Sequence, residues 1–386
     1  MVNPVVNLMV NDMTPTRHAK IVSYAIRTSL GDDVEQVFEK MCQGERACAL
    51  LPYEAHGYLN RYCAPIPHEP ARSKHRRFAR RMDLFGLETA LEAAQEANVV
   101  GGERLGVFVG YGGLRAHWDE MMPSLTNQRA DHKALWQRGL RSFHPFWMLR
   151  HLSNNAHALC AQSLDARGDG LTLAGANAGA QALQSAIRAL NTHRIDAALV
   201  FAYDSLIQPD VLVELNARGA ITTAQTAAPY SDEAAGLLPS EAAAAIVLRR
   251  PDDATDYLVS ASAQADGQPV LPSMETLART IDSLNAPTPQ LVDGASLGLP
   301  EIDASERALI SARYPHASLC SITAHMGFVG AAQAVLQTIF LTQMLRTQRY
   351  PTTSEARATP TIRCGLGLSM FAPGLTGAVL VKGNKN

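Results

Sequence analysis

Short apolar runs punctuate this chain, and between them apolar residues recur at spacings of three and four. The runs Leu105–Gly110, Leu171–Ala174, Ala197–Ala202, Ala243–Leu248, Tyr257–Ala261, Gln290–Asp293 and Ala378–Lys382 have the length and uniform apolarity of buried strands. Phe85–Ala97 sets Leu87, Leu91 and Ala94 on one helical face, and Ala180–Leu190 does the same with Ala180, Leu183, Ile187 and Leu190. Glu306–Arg313 is a shorter helical candidate. Strands alternating with helices predict an α/β protein with a mostly parallel sheet covered on both faces. Met326–Leu345 is the most apolar long stretch. Gln333, Gln337, Thr338, Thr342 and Gln343 interrupt it, so it predicts a buried helix with a polar edge and not a membrane span.

Two helical segments are alike. Gly179–Ile187 (GAQALQSAI) matches Gly330–Ile339 (GAAQAVLQTI) in its Gly and Ala content, and each follows a strand-like run. Helices so poor in bulky side chains can approach other backbones closely and suit a sandwiched layer. One strand–turn–helix unit in each half predicts internal duplication. The charged stretch Arg249–Asp256 (RRPDDATD) lies between two strand candidates and is the expected boundary, giving halves 1–250 and 251–386. Gln264–Ser273 is a second expected loop.

Composition narrows the class. Of 386 residues, 47% are hydrophobic and 18% charged, which excludes a disordered chain. A formal net charge of −2 disfavours nucleic acid as the main partner. Cys42, Cys48, Cys63, Cys160, Cys320 and Cys364 are scattered without a C-x-x-C pair and predict small buried hydrophobes, not a disulfide framework. The first twenty residues lack a basic stretch leading into an apolar run and a cleavage site, so a cytoplasmic protein is expected. His144, His151 and His157 cluster loosely with no carboxylate at ligand spacing; no metal and no cofactor are expected. Gly110–Gly113 (GYGG) falls short of a dinucleotide fingerprint, and no G-x-S-x-G elbow occurs.

One segment nevertheless has the shape of a catalytic turn. Leu171–Leu183 (LTLAGANAGAQAL) passes from a buried strand through glycine into a helix. A residue there sits at a helix N-terminus, where N–H groups favour a thiolate or oxyanion. The residues offered are Ala174, Gly175, Ala176, Asn177 and Ala178, and none is a nucleophile.

Five segments in order then resemble a known family. They are Arg80–Ala97, Gly106–Gly113, His144–Leu164, Ala228–Arg250 with Pro229, Tyr230, Asp232, Gly236 and Glu241, and Ser321–Val335. Together the chain resembles the β-ketoacyl-acyl-carrier-protein synthases of the condensing-enzyme (thiolase-fold) superfamily. The resemblance implies a thiolase fold, in which duplicated βαβαβαββ halves form a five-layer αβαβα sandwich. Active members use a cysteine to hold the acyl chain and two histidines for decarboxylation and enolate stabilisation. Carried over by position, the cysteine falls on Ala176 and the first histidine on Ala295, within Asp293–Glu306, where Gly298, Pro300, Asp303 and Glu306 carry the pattern. Leu297 and Leu299 stand where threonines are implied, and Cys320 where a lysine is. The second histidine is retained as His325. The gating phenylalanine falls on Pro373, with Gly374, Thr376 and Ala378 keeping the rest of that loop.

A methyl group forms no thioester and moves no proton. The resemblance therefore implies a catalytically degenerate subunit like a chain-length factor of type II polyketide or aryl-polyene systems. Such a subunit pairs with an active ketosynthase as a heterodimer and shapes the tunnel for a growing chain delivered on an acyl carrier protein. Alternatives are an enzyme of altered chemistry, a decarboxylase or acyltransferase using His325 or Cys320, and a standalone acyl-binding scaffold. Arg72, Lys74, Arg76, Arg77, Arg80 and Arg81 form a basic cluster suited to an acidic carrier protein, with Arg72, Lys74, Arg76 and Arg77 the expected docking residues.

Overall fold

The computed structural model describes residues 18–51, 60–113, 145–268, 271, 273–351 and 361–384. His144 and nearly all of the first twenty residues lie outside these. Twelve strands are described. Ten form one sheet: β1 (Ala19–Arg27), β4 (Leu105–Tyr111), β5 (Gly170–Ala174), β6 (Ala197–Ser205), β7 (Glu241–Arg249), β8 (Tyr257–Ala265), β9 (Leu291–Asp293), β10 (Ser318–Cys320), β11 (Cys364–Phe371) and β12 (Leu375–Gly383). β2 (Ala49–Leu50) pairs with β3 (Tyr62–Cys63) in a separate ribbon.

The order across the large sheet is β10-β9-β11-β12-β8-β1-β7-β6-β4-β5. Its two halves run the same course. β5, β4 and β6 are parallel, and β7 and then β1 continue antiparallel. β10, β9 and β11 are likewise parallel, and β12 and then β8 continue antiparallel. The halves join where Ala19 and Lys20 of β1 meet Val259 and Leu258 of β8.

The expectation of a mostly parallel sheet is corrected here: five of nine pairings are antiparallel. β11 enters β12 without an intervening helix and pairs with it antiparallel, and β1 runs antiparallel to both of its neighbours, β7 and β8. Alternation elsewhere in the chain concealed this.

Helices α1 (Val34–Cys42), α2 (Arg81–Glu96), α3 (Asn155–Leu164), α4 (Ala178–Asn191), α5 (Pro209–Ala217), α6 (Met274–Asp282), α7 (Pro300–Arg313) and α8 (Gln333–Thr347) surround the strands. α4 and α8 pack against each other between the halves. α4 touches β4, β5, β6, β8 and β12, and α8 touches β7, β11 and β12. α2 covers β1, β6 and β7 from outside, and α6 covers β8 and β12. Helix, sheet, helix pair, sheet, helix is the five-layer arrangement.

The small residues make the middle layer possible. A Cβ on Gly179 of α4 would stand 2.5 Å from the Ala331 carbonyl, and one on Gly110 of β4 would stand 2.7 Å from the backbone of Ala178. α8 is almost wholly buried, its Gln and Thr side chains included. The expected helix Met326–Leu345 is interrupted: a one-turn helix at Thr323–Met326 ends at Gly327 (φ +77), Gly330–Ala332 forms a 3-10 turn, and α8 starts at Gln333. Glycine there adopts backbone angles that other residues reach only with strain. The expected helix Glu306–Arg313 starts earlier, at Pro300, whose ring suits a first helical turn.

Candidate functional site

The parallel strands of each half end on one side, where ligands of open α/β sheets bind. In the first half, β5 leads through Gly175, Ala176 and Asn177 into α4. Gly175 has φ +116, and its N–H donates to the Tyr111 carbonyl at 3.0 Å. The Asn177 amide donates to the carbonyls of Gln264 (3.0 Å) and Thr376 (2.8 Å), which ties the turn to β8 and β12. Gln181, one turn along α4, donates to the Asn177 side-chain oxygen at 2.6 Å. The turn is firmly held, and Ala176 on it is half-buried.

Ala176 packs against an apolar cluster that contains Ala295, Leu297, Phe328, Phe371 and Ala372. The structure therefore brings Ala176 and Ala295 into one apolar neighbourhood. Pro373 stands apart, exposed on the turn between β11 and β12. The aromatic ring actually at the site is Phe371, buried against Phe328 with ring centroids 5.1 Å apart. Sequence reasoning passed over Phe371 because it followed the gate by position. An aromatic at the end of a buried run was the available signal.

Behind Ala295 lies a buried acid cluster. The Ala295 N–H donates to Glu306 Oε1 at 2.8 Å, the Tyr230 hydroxyl donates to Glu306 Oε2 at 2.6 Å, and the Tyr230 N–H donates to Asp303 at 2.9 Å. Burial pushes the Glu306 carboxyl up to about 7 and the Tyr230 phenol well above its usual range. Asp293, fully buried at the end of β9, is also pushed up to about 7 by burial, although the Ile322 N–H donates to it at 2.9 Å. Gly294 is required here, since a Cβ would stand 1.8 Å from the Tyr230 hydroxyl.

Cys320 ends β10 beneath this cluster. Its thiol approaches Asp293 Oδ1 at 3.9 Å, and burial raises its pKa well above the usual thiol value. A thiol so placed stays protonated and is a poor nucleophile. His325 lies on the one-turn helix that follows. Its Nδ1–H donates to the Glu45 carbonyl at 2.8 Å, which leaves Nε2 as the lone-pair nitrogen. That Nε2 is buried with no hydrogen-bond partner among the described residues, and burial holds the imidazole below its ordinary pKa.

The basic cluster divides. Arg72, Lys74, Arg76 and Arg77 are exposed, the last three on a 3-10 turn. Arg80 and Arg81 leave the surface group. Arg80 is buried and grips Asp83 through Nε (2.9 Å) and Nη2 (3.1 Å), and Arg81 donates to Glu241 at 2.7 Å. The two have turned inward because Asp83 and Glu241 lie there to compensate them. Among the described residues, no group of three or more His, Cys, Asp or Glu could hold a metal ion, and His157 donates or accepts locally at Thr172. Among the described residues, no helix is long and apolar enough to cross a membrane.

The layered fold and its paired turns define a thiolase-fold ketosynthase scaffold. Residues 17–254 match the sequence profile of the beta-ketoacyl synthase N-terminal domain, and the chain belongs to that family. No curated protein sequence matches it. Among solved structures it is similar to the ishigamide ketosynthase/chain length factor, at a TM-score of 0.80 and 17% identity over 95% of this chain and 99% of that one. It is similar to a beta-ketoacyl synthase from Burkholderia phymatum STM815, at 0.82 and 15% over 96% and 100%. It is also similar to the type II polyketide ketosynthase solved in complex with its acyl-carrier protein (AntDE:AntF), at 0.74 and 17% over 96% and 100%.

Proposed function

We propose that this chain is a non-catalytic, chain-length-factor-like subunit that pairs with an active ketosynthase and shapes the tunnel for a growing polyketide or polyene acyl chain. The observation that carries this reading is the turn at Ala176: it is built and held like a nucleophile turn, yet presents only a methyl. Ala295 is a second methyl in the same cluster, and the nearby thiol, Cys320, is kept protonated by burial. An aryl-polyene or related pathway is the proposed setting, the cytoplasm the proposed compartment, and 1–250 and 251–386 the proposed halves.

Two surfaces support a partner role. β5 is an edge strand of the sheet among the described residues, Leu171 on it is 46% exposed, and the segment leading into α3 exposes Met148 at 71%. An open edge beside exposed apolar side chains favours strand pairing with another subunit. The exposed Arg72, Lys74, Arg76 and Arg77 offer a positive surface to an acidic carrier protein.

Coexpression with a ketosynthase that retains its cysteine and both histidines tests the reading. The expected result is a stable one-to-one heterodimer. A stable homodimer that ignores every such partner overturns it. His325 favours one second reading, a residual decarboxylase, because its Nε2 makes no hydrogen bond among the described residues. Malonyl-carrier substrate on the isolated chain then releases carbon dioxide, and the His325→Ala variant does not; no release from the unmodified chain removes this reading.

A further inference from the structure

A cavity of about 420 Å³ opens at the end of the sheet away from the Ala176 turn, and nothing described so far uses it. That volume is in the range of small-molecule sites. β11 connects the two places: Arg363, in the cavity wall, just precedes this strand, and Phe371, at the candidate site, ends it. The strand between them spans roughly 25 Å. The cavity is therefore separate from the cluster around Ala176 and Phe371.

One row of residues across three strands shapes the cavity. The β8–β12 register sets Tyr257 opposite Gly383. On the other side of β12, Cys364 stands opposite Lys382, so Arg363 comes opposite Gly383, whose N–H donates to the Arg363 carbonyl at 2.9 Å. Residues opposite each other in antiparallel strands send their side chains to one face. Here that is the face towards the end of α8, because Leu345, Arg346 and Gln348 line the same cavity. Tyr257 and Arg363 thus flank a glycine, with their backbones two strand spacings or roughly 10 Å apart. A Cβ on Gly383 would meet nothing nearer than the Arg363 carbonyl, at 3.9 Å. At Gly365 of β11, by contrast, it would stand 2.7 Å from Leu341. The row leaves an open slot between a phenol ring and a guanidinium.

The walls limit the occupant. Leu345 and Ile362, 5% and 3% exposed, give an apolar back. The Gln348 amide is occupied by the backbone of Leu345 and Ile362, and Arg346 is paired with Glu35. Arg363 is exposed and makes no side-chain hydrogen bond or ion pair among the described residues. One positive group is thus free to meet a ligand. Asp256 on the rim and the carbonyls at the C-terminus of α8 oppose a doubly charged anion such as phosphate. A single carboxylate matches the fork of a guanidinium.

We propose that this slot binds a small flat carboxylate, its body between the Tyr257 ring and the wall of Leu345 and Ile362, and its carboxylate on Arg363. The proposal is independent of the partner reading, since no wall residue belongs to the cluster around Ala176.

The probes are 2-naphthoate and its neutral isostere 2-naphthamide, titrated by ligand-observed NMR into the full chain. Naphthoate is expected to bind about fivefold tighter, the upper end for an ion pair open to solvent. Added salt should shrink the difference. Arg363→Gln is expected to remove the preference and leave the naphthamide affinity unchanged. Gly383→Leu fills the slot, and it is expected to abolish saturable binding of both probes with an unchanged urea midpoint. Equal affinities for the two probes, no saturable binding of either, or undiminished naphthoate binding to Gly383→Leu overturns the proposal. Should Gly383→Leu fail to fold, Arg363→Gln decides: a preference that persists in that variant overturns it.

Discussion

The two strand-to-helix passages of this fold occupy equivalent places and are built in opposite ways. Between β5 and α4, the chain turns through Gly175, Ala176 and Asn177 and presents a methyl to an apolar cluster. Between β10 and α8, it runs from Ser321 to Ala332 through a one-turn helix and a 3-10 turn, and it is polar and buried. There Ser321 accepts from the Ala324 N–H at 3.0 Å, Thr323 donates to the Ser296 carbonyl at 3.2 Å, and His325 is anchored on Glu45. The first passage keeps a catalytic shape and has no reactive atom. The second keeps polar atoms but holds them in a structural network. The difference teaches that shape and reactivity are separable: the shape comes from glycines and helix packing, while reactivity depends on a few side-chain atoms.

The harshest way to break the comparison is to remove the shape. Gly179→Val puts a Cβ 2.5 Å from the Ala331 carbonyl, where neither backbone can yield. It is expected to cost about 3 kcal/mol or more, or to prevent folding, measured by urea unfolding.

A second test addresses the polar passage through pH. Asp293 and Glu306 each ionise near 7 when folded, against ordinary values of 3.8 and 4.5. Between those limits the folded chain binds more protons than the unfolded one, so these groups favour the fold at low pH. Their contribution falls as pH rises towards 7, by at most about 1.4 kcal/mol per pH unit for each group. The unfolding midpoint is expected to be higher at pH 5.5 than at pH 7.5. Glu306→Gln, which stays neutral, should flatten that slope; an unchanged slope in this variant counts against the buried-acid account.

Restoring an atom to the first passage is milder. Ala176→Cys adds one sulfur to a half-buried position and is expected to fold, at a cost below about 1.5 kcal/mol. The introduced thiol should react with iodoacetamide faster than buried Cys160 and Cys320, as peptide mass mapping will show. No condensation product should form, because Ala295 supplies no proton acceptor.

The smallest effect is expected at the surface. Reversing Arg72 and Arg77 to Glu should leave the urea midpoint unchanged, since neither makes an ion pair among the described residues. Carrier-protein affinity should fall, and the salt dependence of binding with it. If affinity and salt dependence both stay as they were, this surface is not the docking site.

The apolar runs that predict strands all fall on strands, Gln290 alone lying just before β9, and of the matched Gly–Ala segments the first lies in α4 while the second spans the 3-10 turn Gly330–Ala332 and the start of α8. β1, β10 and β11 were not legible. β1 mixes apolar with polar residues, and β11 (CGLGLSMF) is diluted by glycine and serine. Each becomes a strand because neighbouring strands supply its hydrogen bonds, and local pattern contains no record of a distant partner. The same limit affected the site. Ala176, Ala295 and His325 could be placed by resemblance, but Phe371 against Phe328, and Tyr230 on Glu306, join residues far apart in the chain.

By itself the sequence determined most of the element pattern, the two alike Gly–Ala segments and the absence of Ser, Thr or Cys from positions 174–178, because each is a matter of local residue type. Only the tertiary structure decided the mixed sheet and which arginines face inward. It also decided that Cys320 stays protonated, and that Arg80 is buried against Asp83. Burial and pairing depend on what the rest of the chain brings alongside, and no single segment encodes that.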